Sequence, residues 1–250
     1  MTTFTAAQRV LVTGASSGIG RAIALLLNER GATVLANGRD TERLEQVRNE
    51  SADPARMLLA PRDMTADMDS LPAWLKELSR QFGPLHGLVC SAGATWNAPM
   101  ALYDITRARQ LFDLCCHAPL MLGGAFCDRR VNAGAGAAIV YIAAAAAAAP
   151  NPGQGVYGAA KAALVTGAAC LAKEAAPRGV RVNCISPGLV QGAMMDATVQ
   201  QLGQAFLQRE QALYPLGFGK PQDIANMAAF MLSQESAWLT GQNIILAGGR

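Results

Sequence analysis

Tyr157 and Lys161 are the residues whose types and spacing most directly suggest chemistry. Residues four apart on a helix share a face, so a helix over this stretch turns a phenol and an ammonium into one cleft, where the positive charge favours phenolate. A free phenol titrates near about 10. Bringing it to about 7 takes about 4 kcal/mol of differential stabilisation, which an ammonium in a low-dielectric site can largely supply, and the tyrosine then serves as a general acid or base. Tyr-x-x-x-Lys also occurs on solvated helices, so the pair gains meaning only from the elements that position it.

Those elements read as a buried strand, a loop and a helix over 156–176 that carries the pair. Along the rest of the chain, short apolar or β-branched runs alternate with helical periodicity: 10–13, 33–36, 57–60, 85–90, 137–142, 180–186 and 243–246. Strands separated by helices predict an α/β fold, three layers around a doubly wound, seven-stranded parallel sheet. The alanine run 143–149 reads as a continuation of the strand before it. No linker or charged low-complexity segment interrupts the sequence, so one domain over 1–250 is expected.

The turn after the first strand is the second informative stretch, Thr13-Gly-Ala-Ser-Ser-Gly-Ile-Gly20, ahead of a helix expected over 21–30. Gly14, Gly18 and Gly20 let the backbone turn tightly and approach a pyrophosphate, whose charge is favoured at a helix N-terminus. About twenty residues on, where such folds read the ribose, Gly38-Arg39 stands in place of an acid. An arginine there suits a 2′-phosphate, so NADP(H) is preferred over NAD(H); a solvated arginine at a helix start is the plainer alternative.

Composition narrows the class. The longest apolar run, 137–149, is too short to span a bilayer, and the first residues lack a secretory pattern, so a cytoplasmic protein that meets no membrane is expected. Six cysteines without metal-ligand spacing read as reduced, mostly core thiols, and no metal site is expected. A net charge of +3 without a basic run argues against a nucleic-acid surface.

Taken in order, TGxxxGxG at Thr13 to Gly20, Asp63 after the third strand, Ala92-Gly93 after the fourth, Tyr157-x-x-x-Lys161 and Pro187-Gly188 after the sixth resemble the short-chain dehydrogenase/reductase family over essentially the whole chain. The resemblance implies a Rossmann-type domain that binds a nicotinamide dinucleotide, with Tyr157 exchanging a proton with a small-molecule carbonyl or alcohol and Lys161 holding the nicotinamide ribose. It further implies cofactor contacts from Gly14, Ser16, Ser17, Gly18, Ile19, Gly20, Arg39, Asp63, Met64, Ala92, Gly93, Pro187, Gly188 and Val190. Family members are usually homotetramers or homodimers through the fourth helix and the helix carrying the tyrosine. The run of small residues along 158–172 suits that expectation or simple burial within one subunit.

The departures gather at the substrate end. The family's serine, thirteen residues before the tyrosine, falls on Ala144 inside an unbroken alanine run. Its fourth-helix asparagine corresponds to Cys115, the asparagine before Ala-Gly is replaced in Cys90-Ser91-Ala92-Gly93, and a threonine after Pro-Gly appears as Gly192. Loss of one donor to a developing oxyanion typically slows a reaction about 100- to 1000-fold without erasing it. Two readings follow. One is an NADP(H)-dependent oxidoreductase whose missing donor comes from the substrate or from Ser91, Thr95, Asn151 or Gln154. The other is a nucleotide-binding protein with a regulatory or partner-binding role. A substrate lid is expected over 189–215, with Met194 and Met195 joining Trp96 and Ala144 around an apolar substrate body.

Overall fold

The computed structural model describes residues 2–250. Its centre is one seven-stranded sheet, all parallel, built from β1 (Arg9–Thr13), β2 (Thr33–Ala36), β3 (Met57–Leu59), β4 (Gly87–Cys90), β5 (Ala138–Ile142), β6 (Arg181–Pro187) and β7 (Asn243–Leu246). The order is β3-β2-β1-β4-β5-β6-β7, so the chain reverses its winding between β1 and β4. A crevice opens at that switch point, beyond the carboxyl ends of the strands.

Alternation along each strand makes the three layers. In β1, Leu11 faces one apolar cluster while Val10 and Val12 face the other. The first cluster takes helices α3 (Leu71–Phe82), α5 (Ala118–Phe126) and α6 (Gly155–Ala175) through Leu75, Leu122 and Leu164. The second takes α1 (Gly18–Glu29), α2 (Thr41–Glu50) and α9 (Pro221–Leu232) through Leu27, Leu44 and Ala228. Burying strands on both faces is what a parallel sheet needs, and it is why their sequences read as continuous apolar runs.

Between β4 and β5, α4 (Ile105–Phe112) runs through a π turn at Asp113–His117 into α5. After β6 come α7 (Ala193–Leu202) and α8 (Gln204–Ala212). Helix α6 is long and apolar enough to cross a membrane by length and composition, with a mean hydropathy of 1.3 over its best window. Its buried positions Leu164, Ala168 and Ala172 recur at helical spacing and pack on the sheet, which is the pattern of a layer helix.

Two sequence expectations need correction. β5 ends at Ile142, and the alanine tract leaves the sheet into a 3-10 turn at Ala145–Ala147. Its pairing with β6 stops at Ile142 with Ile185, and alanine prefers a helical backbone once no neighbouring strand holds it. Helix α1 starts at Gly18, three residues earlier than its periodicity suggested, so Gly18, Ile19 and Gly20 form its first turn.

Small residues on α5 and α6 are used within the chain. A side chain at Gly167 would meet Leu120, and one at Gly158 would meet the Ala146 carbonyl. At Gly123 a methyl group would overlap the hydroxyl of Tyr141, a fully buried side chain whose hydroxyl has no hydrogen-bond partner.

Candidate active site

The crevice holds a cleft of about 280 Å³ whose walls come from the β1 turn, the loop after β4, residues 142–146, the start of α6, and the stretch after β6. Its geometry follows from the turns. Gly14 and Gly18 have φ of 68° and 52°, which side-chain-bearing residues rarely adopt. A Cβ at Gly14 would lie 2.8 Å from the Ala92 backbone, whereas one at Gly18 would meet only open space. Thr13 Oγ1 accepts hydrogen bonds from the Ser91 and Ala92 amides at 3.1 and 3.2 Å, fastening the two strands at the switch point. The result is a cradle without side chains at the N-terminus of α1, a fit for a pyrophosphate.

Ser16, Arg39, Asp63 and Met64 do not line that cleft; Ser16 lies against Gly38, where a Cβ would come 3.1 Å from its Oγ. Arg39 is exposed and holds Nη1 3.7 Å from Asp63 Oδ2. Asp63 Oδ1 accepts from the Thr65 amide and hydroxyl, both at 2.8 Å. The amide bond foremost, and then the hydroxyl and Arg39, hold its carboxyl below the usual range against a smaller effect of burial. Asn37, unanticipated as a site residue, ties this end together by donating to the Ala60 and Arg62 carbonyls. The Met64 side chain is buried in the apolar core.

At the opposite end, Tyr157 and Lys161 both line the cleft. Tyr157 is the third residue of α6 and Lys161 lies one turn on, so the helix N-terminus adds its field to a phenolate. The electrostatics differ from the sequence expectation. Burial, reinforced by Cys115, pushes the Tyr157 phenol up from its ordinary range. Lys161, 5% exposed, donates from Nζ to the Ile142 carbonyl at 2.7 Å. Its charge opposes the upward push of burial on the Cys90 and Cys184 thiols but is not among the influences on the phenol.

The other expectations divide. Ala144, in extended backbone, puts a methyl group into the cleft wall. Met194 and Met195 line the cleft, as do Pro187, Gly188 and Val190. The Leu189 amide donates to the Tyr214 hydroxyl at 2.9 Å. Trp96 packs behind Tyr157 with Phe112 rather than lining the cavity. Cys115 sits in the π turn with Sγ 3.6 Å from the Ala94 carbonyl. Gln201 Nε2 donates to the Asn97 carbonyl at 2.8 Å, joining α7 to the loop after β4.

Arg250 was missed. It lines the cleft, donates from Nη2 to Asn151 Oδ1 at 2.8 Å, and sits 3.2 Å from Oε2 of the buried Glu210 on α8. No spacing in the sequence signals a contact across that distance. Among the described residues no three His, Cys, Asp or Glu side chains converge as metal ligands would.

The family model described as enoyl-(acyl carrier protein) reductase matches residues 14–250. The 3-oxoacyl-(acyl-carrier-protein) reductase FabG of Staphylococcus aureus is 36% identical over 256 residues, covering 97% of this chain and 97% of that protein. The FabG of Rickettsia bellii is 31% identical over 243 residues, with 97% and 96% covered. Among solved structures, a short-chain type dehydrogenase/reductase from Mycobacterium ulcerans superposes with a TM-score of 0.89 at 30% identity, over 99% of this chain and 90% of that one. A short-chain dehydrogenase/reductase from Brucella melitensis gives 0.90 at 27% identity, over 100% and 98%.

Proposed function

Because the chain belongs to the short-chain dehydrogenase/reductase family and is an oxidoreductase of carbonyl and CH–OH groups, we propose that it works with NADP(H) and uses Tyr157 to trade the substrate's proton. The juxtaposition of Tyr157 and Lys161 with the glycine turn of Gly14, Gly18 and Gly20 in one cleft carries this reading, and the exposed Arg39 beside Asp63, outside that cleft, favours the 2′-phosphate.

The bound dinucleotide supplies or accepts the hydride. Gly14, Ser17, Gly18 and Ile19 hold its pyrophosphate against the first turn of α1, while Ser16 and Arg39 receive a 2′-phosphate. Asp63 and the Met64 backbone meet the adenine, and Ala92, Gly93, Pro187, Gly188 and Val190 flank the nicotinamide half. Lys161 would hold a ribose hydroxyl with a further hydrogen of its ammonium while keeping its bond to the Ile142 carbonyl. In the reducing direction, the raised phenol keeps Tyr157 protonated at neutral pH, ready to give its proton to the oxygen of the new alcohol. Residues 189–215, with α7 and α8, form the lid in a single-domain protein, and Met194, Met195 and Phe206 meet the apolar part of the substrate.

The family model's description and the relatives' names differ in the bond reduced, C=C for the former and C=O for the latter. The curated relatives that align over almost the full length are 3-oxoacyl reductases, so a 3-oxoacyl carbonyl is the first substrate class to test. We place the protein in the cytoplasm, as a homotetramer or homodimer. The test is NADPH oxidation with 3-oxoacyl thioesters, ketones, aldehydes and quinones. Turnover lost in Tyr157→Phe supports the proposal. Tight NADPH binding with no turnover of any of them overturns it and leaves a nucleotide-binding role.

A further inference from the structure

The methyl group at Ala144 leaves the reacting oxygen one donor short, and the cleft wall offers a replacement. Gln154 lines the cleft and immediately precedes α6, three residues before Tyr157, so the two side chains leave the helix start on the same face. Its carboxamide is oriented by the chain. The Asn151 amide donates to Oε1 at 2.9 Å, and because a backbone N–H can only donate, the atom facing it is the oxygen. The NH₂ end is thereby turned away from the backbone and finds no acceptor among the described residues.

This arrangement is braced on both sides. The Gln154 carbonyl accepts from the Gly158 amide at 2.7 Å, and its own amide donates to the Asn151 carbonyl at 3.0 Å. Asn151 is in turn held by Arg250, which is anchored beside the buried carboxylate of Glu210. A donor fixed before substrate arrives needs no reorganisation when charge develops, which is what makes such groups effective. The other free hydroxyls of the cleft are placed differently. Ser91 and Thr95 lie on the loop after β4, whose Gly93 faces Lys161 Nζ and Cys115 Sγ, the side proposed for the nicotinamide ribose.

We propose that the Gln154 NH₂ group is a catalytic donor that takes the place of the absent hydroxyl at position 144. As the carbonyl carbon gains a hydride from the reduced nicotinamide, the C=O π bond opens and its electron pair collects on oxygen. One Nε2–H of Gln154 bonds that oxygen while Tyr157 passes its proton to it, leaving an alcohol and a phenolate beside Lys161. This inference rests on the reductase reading above and adds to it the identity of the second donor.

The experiment compares Gln154→Glu, which keeps the acceptor for the Asn151 amide but has no NH₂, with Gln154→Leu, each with and without Ala144→Ser. Steady-state kinetics and NADPH fluorescence titration are read on the same preparations. Both Gln154 variants should bind NADPH with the native Kd and lose about 100-fold in kcat. Ala144→Ser should return most of that loss in Gln154→Leu and add little to the native chain. If both variants keep the native kcat, or if Ala144→Ser raises the native rate as much as it raises that of Gln154→Leu, the donor is elsewhere and the reductase reading stands without it. If the native protein oxidises no NADPH with any carbonyl, that reading fails first and takes this assignment with it. A poorly folded Gln154→Leu leaves the decision to Gln154→Glu and to the size of the Ala144→Ser effect on the native chain.

Discussion

Lys161 Nζ and the Ile142 carbonyl oxygen are bound to each other at 2.7 Å, so the end of β5 holds the ammonium in place before any ligand arrives. The strand that ends at residue 142 therefore serves the site twice, as a wall and as the lysine's anchor.

Lys161→Met removes the charge and leaves that buried carbonyl without its donor. An unsatisfied buried group costs about 1 to 3 kcal/mol, so the midpoint of chemical denaturation should fall. NADPH affinity should weaken as well, measured by fluorescence titration. An unchanged midpoint with unchanged affinity would contradict the anchoring role.

Tyr157→Phe should lower kcat by about 100- to 10000-fold while leaving NADPH binding intact. Because burial raises the phenol, kcat/KM for carbonyl reduction should stay level through neutral pH and fall only on the alkaline side, as Tyr157 loses the proton it must donate. A limb near pH 7 would show that a bound ligand reverses the effect of burial.

Arg39→Gln should weaken NADPH binding by about 10- to 100-fold, the loss of a charge-assisted contact of about 1.5 to 3 kcal/mol, with NADH affinity little changed. The substitution also frees Asp63 from its only ion-pair partner among the described residues. Parallel titrations with the two cofactors check this, and equal losses for both would remove the case for 2′-phosphate recognition.

Alkaline pH should destabilise the fold. The Cys184 thiol, ordinarily near 9.0, is pushed up to about 12 by burial. Its contribution is complete below pH 9 and declines as pH rises towards 12, because the unfolded chain releases a proton that the folded chain retains. The slope for one such group is about 1.4 kcal/mol per pH unit. Urea midpoints at a series of pH values should show the decline, and Cys184→Ala should flatten it.

Arg250→Met leaves the Glu210 carboxylate with Arg209 alone, 3.8 Å away. Stranding a fully buried charge costs about 3 to 5 kcal/mol, and the solvent reaching Arg250 lowers that to about 2. The double variant with Glu210→Met should be more stable than Arg250→Met alone. A double variant no more stable than the single one would show that the pair is not coupled.

Much of this architecture was legible because its signals are local. Seven apolar runs at strand length gave the sheet, and the glycine turn gave the cradle. The readings that missed depended on long-range placement. Whether the alanine tract stays in the sheet depends on where β6 stops pairing with it, and Trp96 turns inward because of neighbours distant in sequence. The direction of the Tyr157 shift was misread for a similar reason: the four-residue spacing to Lys161 was visible, but the burial of the phenol and its closeness to Cys115 were not. Arg250 reaches Asn151 from 99 positions away, beyond any periodicity.

The close approach of α5 to β5 sets an order on how this protein can diverge. While Tyr141 keeps its hydroxyl, no lineage can gain a methyl group at position 123, since the two would occupy the same space. Tyr141→Phe, which gives up only a hydroxyl without a hydrogen-bond partner among the described residues, removes that overlap and leaves the ring carbon and Leu171 at 3.0 Å, close enough that they must shift slightly. Substitutions at these sites should therefore accumulate in one sequence, 141 before 123, and the reverse order should be absent from any surviving descendant.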